Sequence, residues 1–552
     1  MMHTTFLVAR AVVVIALLVG PNASLGKATD QTILLRNVFL IDRKGAEETV
    51  HVNILLKNGL LDIITEDLIP LDQADQAYDA NGGFVMGRLD LGQAASFLIL
   101  TGDPRENVEL LLDTKQYTSF AIRRGEVLKN TYSDVTVEAD EIVTRASRGW
   151  SAYAAPPIAV PLNYFDETRW NKYEGKWVSG LFGAALLLDR QYWTDQDSNS
   201  KLQVGDVDVF DGGEIRGLRV GGVGTLNFDS PWVWTVFAAT HAFDLGFDSS
   251  ESDELSLFDL RLDIPLWENV SFSIGKQKEP ISMERIMSLV NLPMQERAAG
   301  LDAMLPSRNV GMVVSGTLFG ERVTLAGGLF NNWLDKDQPA SFRDNATQYV
   351  GRLTWLPYLS ENENVLLHLG VGLRVSDAKE AVTGSTRPEF NQAPDYLFTG
   401  PLQAEDITTY QAEVSLRNGP FWLHGEYVRS RFDSASHADP SFSGYHVTGS
   451  WILTGEMRAY NRRVGIFNRV PIARTVNQNG WGAVELSGRF SHTDLTDSLI
   501  DGGEMDIWSL GVTWWLTPFM SAGVDYRYIT LDRLGVEGHS SGVTSRIVLL
   551  LE

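Results

Sequence analysis

The sequence predicts an all-β protein, in which a sixteen-stranded antiparallel β-barrel that crosses a membrane follows a small β-sandwich-like domain. Three observations lead to this prediction. About sixteen segments in the second part of the chain alternate apolar and polar residues, which is the period of a strand with two different faces. Most of them are roughly 8–13 residues long, the length of a tilted strand that crosses a bilayer. Short turns and much longer loops connect them, as in membrane barrels.

The first 28 residues are predicted to be an export signal. Arg10 precedes an apolar run from Ala11 to Gly20, which Pro21 and small residues follow. This is the pattern of a cleaved secretory signal. The run is shorter than the roughly 20 residues that a membrane-spanning helix needs. No later stretch reaches that length, so a membrane role would require a barrel.

Composition excludes several classes of function. The formal net charge is −24, which argues against nucleic-acid partners because these need a basic surface. Cysteine is absent, which excludes disulfides, thiolate catalysis and cysteine-based zinc sites. The sequence predicts no cofactor, no catalytic residue and no metal site.

A break in composition divides the chain. All 15 tryptophans lie at Trp150 or later, whereas residues 31–130 are rich in Ile, Leu and Val. Residues 131–175 contain three prolines and are predicted to form a semi-extended linker. The predicted units are therefore a domain at 31–130, the linker, and a barrel at 176–552.

The alternating segments predict the two faces of each strand. The predicted strands are 179–189, 213–226, 232–244, 255–264, 270–277, 311–320, 322–332, 349–357, 365–377, 409–419, 420–432, 442–453, 481–492, 507–517, 520–531 and 545–551. In residues 257–264, Phe258 and Leu260 are expected on one face and Asp259 and Arg261 on the other. Aromatic residues suit the headgroup zone of a bilayer. The side chains expected to face lipid near the C-terminus are Trp508, Trp514, Phe519, Tyr526 and Tyr528. Residues 494–506 are acidic and contain glycine, which predicts a solvated outer loop.

Six segments, in order, resemble the phosphate-selective porin O/P family of Gram-negative outer-membrane channels. They are GEIRGLRVGGVGTL (213–226), GKQKEPISMERIM (275–287), PSRNVGMVVSG (306–316), YVGRLTWLP (349–357), GSWILTGEMRAY (449–460) and WGAVELSGRFSHTDL (481–495). The resemblance covers roughly residues 171–552 and implies a sixteen-stranded, trimeric, anion-preferring porin. It also implies an outer-membrane location, contact with lipid and lipopolysaccharide, and small anions as the transported solutes.

An anion pore needs fixed positive charge at its constriction. The predicted pore-lining or anion-binding residues are Arg216, Arg219, Lys276, Lys278, Arg308, Arg352 and Arg374. The connection 278–310 is long enough to fold inward and narrow the channel. The alternative for each cation is pairing with a neighbouring carboxylate, which would leave a zwitterionic lining.

The sequence departs from the family pattern at two places. The family commonly carries two adjacent arginines followed by another, and here the middle one is missing between Arg216 and Arg219. The chain also ends on Glu552 after three leucines, whereas barrel proteins usually end on an aromatic residue. With the net charge of −24, the missing arginine predicts an anion-tolerant or weakly selective channel. The non-aromatic end predicts either a relaxed signal for insertion or an atypical sealing strand.

The segments 32–65, 87–111 and 117–130 resemble the β-sandwich of amidohydrolases without the catalytic barrel between its halves. His3 and His51 are the histidines before residue 240, so the metal ligands of an amidohydrolase are missing. We therefore expect a periplasmic domain that is not an enzyme. Two alternatives remain open: a periplasmic enzyme of amidohydrolase descent, which bound zinc would favour, and a secreted β-rich binding protein, which purification without detergent would favour.

Overall fold

The computed structural model describes residues 32–132 and 172–551, with gaps at 42–48, 66–68, 70–72, 105–106, 108–109, 111–113, 229, 241–255, 268, 332–342, 344, 361–362, 379–380, 479 and 534. The chain divides into two compact units, residues 1–137 and 138–552. The predicted signal peptide and most of the predicted linker lie outside the described residues. In the part of the chain that is described, no helix is both long enough and apolar enough to span a membrane.

The described part of the first unit is built from strands. They are β1 (Thr32–Ile41), β2 (Thr49–Lys57), β3 (Leu60–Thr65), β4 (Gln76–Arg88), β5 (Ser96–Leu100), β6 (Thr118–Arg123) and β7 (Glu126–Asn130), with a helical turn α1 (Thr114–Tyr117) before β6. The turn between β2 and β3 contains Asn58 and Gly59 at φ values of 53° and 74°. This pair suits a tight hairpin turn that needs positive φ at both positions.

The seven strands form one continuous sheet in the order β3-β2-β1-β4-β5-β6-β7, with β1 and β4 parallel. The two-sheet sandwich expected from the sequence is therefore corrected to a single sheet. The two ends of the sheet meet. A Cβ atom added to Gly59, in the turn between β2 and β3, would lie only 2.6 Å from the carbonyl oxygen of Gly125, in the turn between β6 and β7. The sheet is therefore rolled up. Rolling lets one sheet enclose its own core, in which Leu35, Ile54 and Phe120 are fully buried.

The second unit consists of long antiparallel strands and a few short elements. Its strands are β8 (Lys172–Glu174), β9 (Val178–Gln196), β10 (Gly212–Leu226), β11 (Trp232–Thr240), β12 (Ser256–Trp267), β13 (Val270–Gln277), β14 (Asn309–Leu318), β15 (Val323–Asn331), β16 (Thr347–Leu359), β17 (Val365–Asp377), β18 (Ala381–Thr386), β19 (Leu397–Gln403), β20 (Asp406–Asn418), β21 (Phe421–Phe432), β22 (Ser441–Ile452), β23 (Tyr460–Asn461), β24 (Ile466–Phe467), β25 (Ala483–Asp497), β26 (Ile500–Thr517), β27 (Met520–Arg533) and β28 (Val536–Leu551). Its helices are α2 (Ser198–Val204), α3 (Met283–Ile286) and α4 (Ala299–Met304), with 3₁₀ turns at Val207–Phe210, Leu289–Asn291, Ala435–His437 and Val476–Gln478.

Sixteen long strands, β9–β17, β20–β22 and β25–β28, form a closed antiparallel barrel. Each strand pairs with its neighbours in the chain, and β28 closes the ring by pairing with β9 from Ser540↔Gln196 to Leu551↔Ala184. Closure leaves no strand edge without backbone partners, which a barrel in lipid requires. The sixteen-stranded prediction is confirmed.

The two faces of the strands are those that the alternation predicts. The five aromatic side chains expected to face lipid, from Trp508 to Tyr528, are between 37% and 60% exposed. On the opposite face, Ser509, Asp525 and Arg527 are buried. The outer surface of the barrel is therefore apolar and its inner surface polar, the reverse of a soluble protein.

A charge on the outer face tests its contact with lipid. Val512 is 45% exposed and lies between Trp508 and Trp514 on the same face of β26. Aromatic girdles flank the apolar band of a membrane barrel, so Val512 lies near its middle. We expect Val512→Arg to lower the free energy of unfolding in phospholipid vesicles by roughly 2–4 kcal/mol. Urea titration followed by tryptophan fluorescence measures this loss of stability. The control Leu499→Arg, in the turn before β26, should cost about 0–1 kcal/mol. Equal costs would contradict a lipid-facing Val512.

The structure corrects the prediction for residues 494–506. β25 continues to Asp497 and β26 begins at Ile500, so most of this segment is strand and only a two-residue turn separates the two. The acidic and glycine residues suggested a loop, but the inward-facing residues Leu495 and Met505 are buried. Strands that extend beyond the membrane need no apolar outer face, so alternation alone understates their length.

The three leucines before Glu552 also have a structural reason. Val548 and Leu550 point inward and are 5% and 3% exposed. They pack in an apolar cluster inside the barrel with Leu187, Met283 and Leu289. The alternation is blurred at the C-terminus because the inner face is apolar there as well.

Candidate functional site in the barrel lumen

Two connections fold into the barrel and fill much of its interior. Loop A (residues 278–308) enters from the end where most long connections lie, and this confirms the expected inward fold of the connection after β13. Loop B (residues 453–482) enters from the other end, where turns such as 419–420 and 518–519 are short. Almost every residue from 279 to 305 is buried. Because loop B is long, the expected alternation of short and long connections fails at this point.

Loop A is held by carboxylates on the barrel wall. The backbone N–H of Met283 donates to Glu413 at 2.9 Å, and that of Glu284 donates to Glu426 at 2.7 Å. The N–H of Gln295 donates to Asp525 at 2.8 Å. An irregular segment inside a protein leaves backbone groups that must be satisfied by side chains. The wall carboxylates serve this purpose, so they position loop A rather than line open water.

Loop B is held by arginines and by aromatic packing. Arg352 of β16 donates to the carbonyl oxygens of Val464 at 2.9 Å and Gly465 at 2.7 Å. The ring centroid of Phe467 lies 5.2 Å from the ring centroid of Trp422, a residue of the barrel wall. These contacts hold loop B inside the lumen at the end where the turns are short.

Arg216 forms a bidentate ion pair with Glu296 of loop A, with both N–O distances at 2.9 Å. Arg546 of β28 reaches the same carboxylate at 2.5 Å and Asp189 at 2.6 Å. Burial alone would raise the pKa of Glu296, but the guanidinium groups of Arg216 and Arg546 hold it well below its usual range. Glu296 is therefore ionised between two cations.

A β-bulge brings Arg216 and Arg219 to the same face. The pairing of β10 with β9 shifts by one residue between Ile215 and Gly217, which leaves Arg216 as the extra residue. A bulge reverses the alternation beyond it. Arg216 and Arg219 are each 5% exposed and both lie on the inner face, although their spacing in a regular strand would place them on opposite faces.

A second bulge turns Phe258 inward. The pairing of β12 with β11 shifts at this residue, so Asp259 pairs with Phe237 and Leu257 with Ala238. The expectation that Phe258 shares the outer face of Leu260 is therefore wrong. Its buried ring lies 3.5 Å from the guanidinium carbon of Arg308 and 4.5 Å from that of Arg219. Guanidinium groups are attracted to aromatic faces in this arrangement.

The structure brings Arg219, Lys278 and Arg308 together around Phe258. Arg308 pairs with Asp259 at 2.9 Å. Lys278 donates to the carbonyl oxygens of Ile286 and Met287, both at 2.8 Å. The charges of these three side chains act on one another and on Asp259. We call Arg219, Lys278, Arg308, Phe258 and Asp259 the cationic cluster.

Arg352 and Arg374 lie on the inner face, apart from the cationic cluster. Arg352 pairs with Glu413 at 2.5 Å, and Arg374 pairs with Glu279 at 2.9 Å. Four of the predicted cations therefore face carboxylates, as the zwitterionic alternative expects. Lys276 differs from the other predicted cations because it lies on the outer face. It is two residues after the exposed Ile274, and it pairs with the exposed Leu260 of the neighbouring strand. The structure does not place Lys276 in the lumen.

Several lumen residues were not predicted. They are Asp189, Glu279, Glu296, His368, Glu413, His424, Glu426, His446, Arg458, Glu485, Arg489, Arg527 and Arg546. The sequence indicates that many of them face inward. Polar residues at every second position mark the inner face of a strand, and this pattern occurs in residues 411–417 and 485–493. The prediction selected cations alone and so missed the carboxylates that neutralise them.

A cavity of about 220 Å³ lies beside loop A. Its lining carries charges of both signs and includes Arg216, Arg285, Arg297, Arg343 and Arg387 with Glu296, Asp302, Glu389 and Asp395. Such a lining favours small polar or ionic solutes over apolar ones.

Known proteins resemble this chain over its barrel. The family model described as phosphate-selective porin O and P matches residues 190–548. An uncharacterized protein of Caulobacter vibrioides is 25% identical over 385 residues, which is 66% of this chain and 71% of that protein. The solved structures include the anion-selective porin from Comamonas acidovorans, with 11% identity and a TM-score of 0.42 over 68% of this chain and 99% of that one. They also include the outer membrane channel DcaP of Acinetobacter baumannii, with 9% identity and a TM-score of 0.43 over 68% and 99%.

The family match spans well over half of the chain and covers the sixteen-stranded barrel from within β9 to within β28. The chain therefore belongs to the phosphate-selective porin O and P family: it lies in the outer membrane and lets small solutes pass by diffusion.

Proposed function

We propose that this porin conducts small hydrophilic solutes with a weak preference for anions. The cationic cluster carries the proposal, because it brings Arg219, Lys278 and Arg308 together around Phe258 inside the lumen. An anion that loses part of its hydration shell meets fixed positive charge there. Elsewhere in the lumen the predicted cations face carboxylates, which limits the preference and argues against strict phosphate selectivity.

Reversal potentials in a planar bilayer test this proposal. In a KCl gradient across single channels, we expect a modest preference for chloride over potassium. The double variant Arg219→Gln/Lys278→Gln should abolish or invert this preference, since it leaves Asp259 with Arg308 alone. The control Arg190→Gln changes an exposed arginine on β9 and should leave the reversal potential unchanged. A cation preference in the unmodified protein would overturn the proposal.

We further propose that passage requires loop B to move. The contacts of Arg352 with Val464 and Gly465 and the packing of Phe467 on Trp422 support this, because they fill the lumen near the short turns. The conductance would then depend on the movement of loop B as well as on the charge and the pore width at the cationic cluster.

Family membership supports a proposal about assembly and partners. We propose that three copies assemble into a trimer and that the apolar outer face contacts lipid and lipopolysaccharide. The exposed aromatic residues of β26 and β27 support contact with lipid.

For the first unit, we propose a periplasmic domain without catalytic activity that derives from an amidohydrolase-like fold. Its histidine content supports the lack of metal-dependent catalysis, since His51 is its one histidine beyond the signal peptide. The catalytic zinc sites of hydrolases use two or three histidines, more than this unit contains. Stoichiometric zinc in a purified fragment of residues 31–130 would revive the enzyme alternative.

A further inference from the structure

Glu284, His424 and His446 meet inside the barrel, although they lie far apart in the chain. Glu284 belongs to helix α3 of loop A, and the histidines belong to the neighbouring strands β21 and β22. One potential ligand atom from each residue lies within 4.8 Å of the other two. All three residues are at most 2% exposed. The spacing is that of side chains around a common point.

Each histidine is oriented by a hydroxyl group of a barrel strand, that of Ser415 on β20 or that of Thr448 on β22. His424 Nδ1 lies 2.6 Å from Ser415 Oγ, and His446 Nδ1 lies 3.2 Å from Thr448 Oγ1. Metal-binding histidines are usually held through the second ring nitrogen in this way. Nε2 of His446 is thereby the nitrogen that remains for a ligand, whereas Nε2 of His424 shares a hydrogen bond with Glu426 Oε1 at 3.0 Å, which a bound metal ion would replace.

His446 Nε2 is a buried polar atom without a hydrogen bond. It lies 3.3 Å from Glu284 Oε2, but without the geometry of a hydrogen bond. Buried polar atoms in native structures are nearly always satisfied by protein, water or an ion. This nitrogen therefore points to a ligand between His446 and Glu284.

The charges around the three residues admit a cation. Arg489 Nη2 lies 3.2 Å from both oxygens of Glu284, but Arg489 is also shared with Glu389 at 3.3 Å. Glu426 adds a further carboxylate, 3.0 Å from His424 Nε2. A dication would take over one oxygen of Glu284 and leave Arg489 with Glu389. The competition with Arg489 limits the affinity but leaves each charge with a partner.

We propose that Glu284, His424 and His446 bind a divalent transition-metal ion of the zinc class, which fastens loop A to β21 and β22. Two imidazoles and one carboxylate form a ligand set typical of zinc, with a fourth position left for water. Calcium and magnesium are disfavoured because they require mostly oxygen ligands. The prediction of no metal site considered neighbours in the sequence, and only the barrel brings these residues together.

Cobalt and zinc binding to the full-length, tag-free protein in detergent test this proposal. After removal of metals by a chelator, Co²⁺ should bind at one ion per chain and give the visible absorption of a tetrahedral nitrogen–oxygen site. Zn²⁺ should displace it. We expect His424→Gln and His446→Gln each to weaken Co²⁺ binding at least about tenfold. The control His368→Gln removes a buried histidine that contacts Tyr460 and Glu413 instead, and it should bind Co²⁺ as the unmodified protein does.

Folding of each variant is checked independently by the shift in gel mobility that heating produces in folded barrels. A variant that folds and binds less Co²⁺ supports the site. The proposal is overturned if the unmodified protein shows no site-specific Co²⁺ spectrum, or if both histidine variants bind Co²⁺ as tightly as it does. A second readout is the urea midpoint, which Zn²⁺ should raise in the unmodified protein but not in folded His446→Gln.

Discussion

Replacing Glu485 by glutamine is expected to lower the free energy of unfolding of the barrel by about 3–5 kcal/mol. Arg458 of loop B donates to both oxygens of Glu485, at 2.6 and 2.7 Å, and both side chains are fully buried. Trp515 Nε1 donates to the same carboxylate at 3.0 Å. Glutamine would leave the guanidinium of Arg458 without its counter-charge in a site that water does not reach. Urea titration in phospholipid vesicles, followed by tryptophan fluorescence, measures the difference.

The matched control is Glu504→Gln on β26. The side chain of Glu504 is 54% exposed and lies 3.8 Å from His492, which is a weak surface pair. An exposed pair contributes about 0–1 kcal/mol, so this variant should unfold almost as the unmodified protein does. If the two variants lose the same free energy, the ion pair of Glu485 does not fasten loop B.

A disulfide between loop B and the wall is expected to stop conduction reversibly. The chain contains no cysteine, so an introduced pair is free of competing thiols. A Cβ atom added to Gly465 would lie 2.5 Å from Thr354 Oγ1 and 3.1 Å from its methyl carbon. After a small shift, these positions suit a disulfide, which needs Cβ atoms about 3.5–4.5 Å apart. The double variant is Thr354→Cys/Gly465→Cys.

We expect the oxidised double variant to show few or no conducting events in a planar bilayer, and a reductant to restore them. The physical reason is that loop B fills the lumen through Tyr460, Phe467 and their neighbours, so a loop that cannot leave the wall keeps solutes out. The single variant Gly465→Cys carries the same backbone strain at a φ of 68° but forms no cross-link. Equal conductance before and after reduction would show that solutes pass beside a stationary loop B.

The fold of the barrel was predictable from the sequence because the membrane imposes the same requirement on every spanning strand. Each spanning strand needs an apolar residue at every second position on its lipid face, and Trp508, Leu510 and Val512 show this directly. The alternation identified all sixteen strands. It misplaced their ends, as at residues 494–506 and 536–544, since strands that extend beyond the lipid no longer need an apolar outer face.

The lumen was less predictable because its polar residues are chosen by partners distant in the chain. Arg216 needs Glu296 on loop A, and Arg352 needs Glu413 on β20. Alternation shows that such residues face inward, but not which charges meet. Bulges add a further obstacle, since the shift at Arg216 and the one at Phe258 each reverse a face without a clear sign in the local sequence.

The sequence by itself determined the number of strands and most of the lipid and lumen faces. These follow from a repeating requirement that acts on every residue of a strand in a bilayer. Only the tertiary structure decided that loop B also fills the barrel, that most predicted cations are paired, and that Glu284, His424 and His446 surround one point. These depend on which segments meet across the closed barrel, because a buried charge or imidazole is defined by the groups around it.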